Sequence, residues 1–302
     1  MAPNRKLIPS RAALRERQYR HRARVSYAKC RIDTHSRIVT TLGTDSRGRA
    51  NLAVEPAGAG LRRVPGAHRM APSMTILAYR TRLHALLTPA EHRVFARLDT
   101  PQKIQTFIDR LPANFELDGD TVMSPRRLLR ERVAHCAEGA LFAAAALSFH
   151  GKPAWLMDLQ ALPSDHDHIV TLFQQRGLWG AISKTNHAIL RWRDPIYRSP
   201  RELAMTYAHE YCLPGGKKSM LAYSKPFSLA RIAPKRWVIA PDDLHWLMDK
   251  LDAAPHLPVA PTQAMRTRRR SSRVELLSQD VVEWPNPRKR KPKPKRKKPR
   301  RL

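Results

Sequence analysis

In RVAHCAEGALFAAAALSFHG, residues 132–151, one cysteine opens a run of alanines and other apolar residues. A histidine precedes it, a glutamate follows two places later, and a glycine ends the run. Alanine is the strongest helix former, and its small side chain lets neighbouring elements approach closely. The stretch predicts a helix from about Cys136 to His150, stopped by Gly151, and buried at the centre of the fold. Cys136 has two readings. It is an inert, buried thiol filling the core, or it is a nucleophile at a helix N-terminus, where the macrodipole and free N–H groups favour thiolate. Glu138, in the same turn, would oppose that ionisation.

Outward from this helix the chain changes character. Upstream, LTPAEHRVFARL carries Thr88, Pro89 and Glu91 at N-cap, N1 and N3, a capping box. DTPQKIQTFIDRL repeats the start with Thr100 and Pro101, and Ile104, Phe107, Ile108 and Leu111 share one helical face. Another helix opens at Ser124-Pro125. Downstream, PAWLMDLQAL, DHIVTLFQQ, LWGAIS and HAILRWR are short apolar or alternating runs, and read as strands. SPRELAMTYAHEYC is a further capped helix, with Ser199, Pro200 and Glu202 in the box positions, and APDDLHWLMDKLDAAP is a last amphipathic one. Helices, then a mostly antiparallel sheet, then helices indicate an α+β fold.

The chain has 302 residues, 42% of them hydrophobic, and a formal charge of +31. Residues 1–73 hold 16 Lys and Arg against 4 acids, and residues 285–302 hold 11 against none, leaving +8 for 74–284. The excess charge therefore describes the ends. Three segments are expected: a basic, disordered extension over 1–73, a folded domain over 74–260, and a basic, disordered tail over 261–302. Met70 and Met74 stand where the composition changes, which leaves Met1, Met70 and Met74 open as the natural start. RAALRERQYRHRAR within the extension would be at most a basic helix with a thin apolar face.

The C-terminal tail could contact nucleic acid nonspecifically, or an anionic surface, or act only as a solvated tail. No aromatic residue interleaves it and no base-reading motif is present. Cys30, Cys136 and Cys212 form no CxxC pair, which argues against a disulfide framework and for a reducing, cytoplasmic setting. The longest apolar run, around Ala140–Phe149, is far short of the ~20 residues a membrane helix needs, so no membrane span is expected. No secretory signal is expected either. The oligomeric state is left open.

A Gly-rich phosphate loop, HExxH, zinc-type CxxC spacing and GxSxG are all missing. Neither cofactor nor metal is expected. What remains is one cysteine and downstream histidines. In SDHDHIV, His168 starts a strand whose same-face positions are Val170 and Leu172. A rigidly held imidazole there suits a base for a cysteine nucleophile. Asp165, His166, Asp167 and His168 could instead ligate a metal, though successive strand residues face opposite ways and at most two would meet one ion. A plain loop is the third reading. If the turn centres on 176–177, facing residues have numbers summing to 353. His168 then faces Thr185, with Ser183 its diagonal neighbour. The residue orienting His168 is expected among Ser183, Thr185 and Asn186.

A cysteine opening a buried helix, a histidine on a strand and a polar residue on the next strand resemble the transglutaminase-like superfamily, which has the papain-like fold of cysteine enzymes. SPRRLLRERVAHCAEGALFAAAAL, DHDHIVTLF and WGAISKTNHAILRWRDPIYRSPRELAMTYAHEY are similar to a group of bacterial transglutaminase-like proteins, over about 74–260. The resemblance implies a central helix on a small antiparallel sheet, Cys136 as nucleophile and His168 as general base. It also implies an aspartate four residues after a strand tryptophan. Counting from Trp179, that position holds Ser183. A serine orients the imidazole without stabilising its charge as a carboxylate does. Asn186 would play the part of the papain-type asparagine, and Asp194 is the nearest later carboxylate. The expected function is acyl transfer, by amide or ester hydrolysis or transamidation, on a peptide or other amide or ester. The alternative is a non-catalytic binding protein on the same fold, its basic tails contacting nucleic acid or anionic surfaces.

Overall fold

The computed structural model describes residues 75–288. The extension over 1–73, with Met70 and Met74 and its basic helix, lies outside the described residues, as does 289–302.

Side-chain caps set the helix starts. Thr75 accepts from the Ala78 N–H and opens α1 (Ile76–Leu86). Thr88 and Glu91 form the expected capping box on α2 (Pro89–Ala96). Thr100 caps α3 (Pro101–Asp109) and Ser124 caps α4 (Pro125–Glu131). α5 spans Cys136–Phe149, and Gly151 follows it at φ 67°, a backbone that favours glycine.

Seven strands form one antiparallel sheet in the order β4-β3-β2-β1-β5-β7, with β6 also paired to β1. They are β1 (Trp155–Ala161), β2 (His168–Gln175), β3 (Leu178–Ile182), β4 (Arg193–Tyr197), β5 (Met220–Ser224), β6 (Phe227–Ser228) and β7 (His256–Pro258). Arg176 and Gly177 link β2 to β3 with φ of 52° and 79°, a tight turn whose backbone twist matches the hairpin. Thr171 then faces Ile182 and Leu172 faces Ala181, the register whose numbers sum to 353.

Alternation along the strands divides the core. Leu156, Ile169, Phe173 and Ile182 share a cluster with α5 and the upstream helices. Met157, Leu159, Val170, Leu172 and Ala181 join a second cluster with Leu203, Tyr207 and Tyr211, on and after α6 (Pro200–Met205). α5 is buried from Ala137 to Leu147. The Thr171 hydroxyl ties it to the sheet, donating to the Ala140 carbonyl at 2.6 Å. α7 (His245–Asp252) packs its Leu247 and Leu251 into the first cluster.

Two expectations are corrected. The fourth strand is Arg193–Tyr197 and not 187–193, because His187 pairs with Val282 instead, through the Ala188 N–H donating to the Val281 carbonyl and the Glu283 N–H to the Asn186 carbonyl. The chain after 260 is structured through 288, with α8 (Thr262–Arg266) and α9 (Arg273–Asp280). Two of its arginines, Arg268 and Arg270, bond backbone carbonyls of the domain. Arg268 donates to the carbonyls of Met220 and Lys218 at 3.0 and 3.1 Å, and the Ser271 N–H donates to the Gly216 carbonyl at 2.8 Å.

Candidate active site

Cys136 is the first residue of α5. His135 is its N-cap, accepting from the Ala137 N–H through Nδ1 at 3.2 Å. Glu138 completes a capping box by accepting from the His135 N–H at 2.9 Å. Cys136 is partly exposed, whereas the helix behind it is buried. The thiol therefore stands where α5 comes out of the core.

Two imidazoles act on that thiol. Burial pushes the Cys136 pKa up, but side-chain interaction and Coulombic attraction from His135 and His168 outweigh it and hold the thiol well below its ordinary value of 9.0.

His168 is the first residue of β2, opposite Leu159 of β1. Its Nε2 lies 2.8 Å from Ser183 Oγ. The Ser183 hydroxyl donates to the Leu190 carbonyl, so its oxygen accepts from an Nε2–H. That assigns the proton to Nε2 and leaves Nδ1 as the free nitrogen of the neutral ring. Ser183 is in turn held by Gln105 of α3, whose amide donates to the Ser183 carbonyl at 2.8 Å and accepts from its N–H at 2.9 Å. Leu190, at φ 58°, is fixed by its N–H donating to Glu210 at 2.6 Å.

The other sequence candidates lie elsewhere. Asn186 bonds both backbone groups of Trp284, at 2.9 and 2.8 Å, so its amide anchors the C-terminal segment and does not orient His168. Thr185 accepts from the His187 N–H, and Asp194 accepts from Trp192 Nε1. Asp167 accepts from the Ala161 N–H and Asp165 from the Ser219 hydroxyl. Among the described residues no three His, Cys, Asp or Glu are grouped to hold a metal ion.

No family model matches the chain. No curated protein matches it either. Among solved structures, LapG of Legionella pneumophila is similar at 11% identity and a TM-score of 0.27, over 60% of this chain and 97% of that one. A structure of EGTA-treated LapG is similar at 11% identity and a TM-score of 0.25, over 37% of this chain and 72% of that one. At this level of likeness the site rests on its own geometry.

His135 and Gln105 were not singled out by sequence reasoning. Histidine is not among the usual N-cap residues, so only Glu138 at N3 signalled the box. Gln105 lies 78 residues from Ser183, and no local pattern links them.

The loop over 112–124 completes the surroundings of His135. Its Nε2 lies 2.8 Å from the Thr121 carbonyl, 3.5 Å from Glu138 and 3.6 Å from Glu116. Burial lowers the His135 pKa, but interaction with Cys136 and Glu138 overcomes this and raises it to about 10. Glu138 is fully buried and also accepts from the Met123 N–H, the Thr121 hydroxyl and the Asn114 amide, at 3.2, 3.0 and 3.1 Å. The expected opposition of Glu138 to the thiolate is thus met by surrounding donors, with His135 lying between the carboxylate and the thiol.

Proposed function

We propose that the chain is a cysteine acyl-transfer enzyme of the papain-like, transglutaminase-like type, acting on an amide or ester. The observation that carries this is the pairing of an ionisable Cys136 with a His168 whose far nitrogen is anchored on Ser183 at 2.8 Å. The thiol proton passes to His168 Nδ1. Cys136 Sγ attacks the acyl carbonyl, forming a C–S bond, and the C–N or C–O bond breaks as Nδ1–H protonates the leaving amine or alcohol. Water or an amine then gives its proton to Nδ1 and takes the acyl group from sulfur. The Cys136 N–H, one of the first helical donors with no intrahelical carbonyl, is the nearest backbone group for the developing oxyanion.

Ser183 fixes the His168 tautomer without adding negative charge, so catalysis through this imidazole is weaker than with an aspartate there. A thiol-reactive activity probe tests the pair. It should label Cys136 in the wild type and lose that labelling in His168→Ala. Equal labelling of both proteins would sink the proposal.

A further inference from the structure

The Cys136–His168 reading leaves one imidazole unused. His135, the residue before Cys136, acts on the same thiol, and its ring is only 21% exposed. Nε2 faces three oxygens, those of Thr121, Glu138 and Glu116, and all three favour a proton on it. The carboxylate that sequence reasoning sought beside His168 is beside His135 instead, as a pair. Glu138 is the better placed, being fully buried and held by four donor groups.

We propose that His135 is a second imidazolium of the site: it keeps its proton and stabilises the Cys136 thiolate whenever sulfur is free of the acyl group, while His168 takes the thiol proton and passes it to the leaving group. This rests on the acyl-transfer reading and divides its labour between two histidines. His168 has a neutral partner and moves its proton easily. His135 has Glu138 and Glu116 on one side and the thiolate on the other, and keeps its proton. The neutral ring caps α5 through Nδ1; the charged ring turns that nitrogen into a donor towards Sγ.

The test is the pH dependence of Cys136 alkylation by iodoacetamide in the full chain, read on the Cys136 peptide by mass spectrometry. His135→Asn is informative because asparagine is a good N-cap and carries no charge. Its alkylation midpoint should rise by about one pH unit or more, the shift expected on losing an adjacent opposite charge. Glu138→Gln removes the charge while keeping one acceptor oxygen, and should move the midpoint the same way by less. An unchanged midpoint in His135→Asn overturns the proposal. If that variant does not fold, an unchanged midpoint in Glu138→Gln overturns it. His168→Ala separates the two claims. A rise there, with none in His135→Asn, removes the role of His135 and leaves the acyl-transfer reading standing. An ordinary thiol midpoint already in the wild type removes both.

Discussion

Ser183 Oγ accepts from His168 Nε2 at 2.8 Å, while donating its own proton to the Leu190 carbonyl. The direction of that second bond matters, because it makes the serine an acceptor and sets the tautomer of His168. In Ser183→Ala, Nε2–H loses its buried partner. A hydrogen bond to a group that becomes charged is worth about 1.5–3 kcal/mol, or ~10- to 150-fold in rate. Acyl transfer should fall within that range with Cys136 still present and reduced. Steady-state kinetics checks it; an unchanged kcat/KM would show that the bond does not orient the base.

Gly139 packs directly on Lys184, the residue after Ser183, and an added Cβ would collide with the Lys184 Cβ. Lys184 is itself fully buried and donates to the Leu111 carbonyl, so it has little room to retreat. Gly139→Ala should destabilise the fold by about 1–3 kcal/mol, as overpacking does. It should also reduce activity more than the stability loss explains, by pushing Ser183 off His168. Denaturant unfolding and activity measured on the same protein check both.

The Cys136–His135 pair makes stability depend on pH. The His135 pKa is raised from 6.5 to about 10, so its stabilising contribution is full below 6.5 and is lost as pH rises through about 10. The Cys136 pKa is lowered from 9.0, so its contribution is full above 9.0 and is lost as pH falls through the lowered value. Between these limits the opposing slopes compensate, because on folding His135 gains a proton while Cys136 loses one. The stability difference between wild type and the double variant Cys136→Ala, His135→Asn should be largest in that middle range and shrink on both sides. Urea midpoints across pH measure it.

Residues 261–288 belong with the domain, through the bonds of Arg268 and Ser271 and through Glu283, whose N–H donates to the Asn186 carbonyl at 2.9 Å. A chain ending at 260 should melt at least about 4 °C lower, since 1 kcal/mol is worth about 2–4 °C in a domain of this size. A chain ending at 288 should melt like the full one. Thermal unfolding of the two truncations distinguishes this boundary from one at 260.

The sequence patterns that proved legible are the local ones. Thr88 with Glu91 announces a helix start because the cap and its reciprocal partner sit three residues apart, and Ser199 caps the Glu202 N–H in the same way, though the Glu202 carboxylate accepts from the Arg198 N–H. Arg176-Gly177 sets the hairpin register and so brings Ser183 to His168. The illegible parts depend on distant residues. Nothing near His135 reveals that Thr121 and Glu116 come to its ring, and nothing near Ser183 reveals Gln105. Asn186 has the right chemistry and position for the third residue, yet its amide is taken by Trp284, 98 residues away. Arginine-rich composition beyond 260 hides the α8–α9 segment, because only Met265 brings it to the apolar core and most of its contacts are polar, such as guanidinium to carbonyl.

The central claim is that Cys136 becomes acylated with His168 as its proton carrier. The most direct measurement is rapid mixing of the full chain with p-nitrophenyl acetate, followed by peptide mass spectrometry. The account predicts a burst of nitrophenol close to one per chain, an acetyl group on Cys136, and loss of both in Cys136→Ala and His168→Ala. Nitrophenol release from Cys136→Ala equal to that from the wild type, with no acetyl on Cys136, would contradict it.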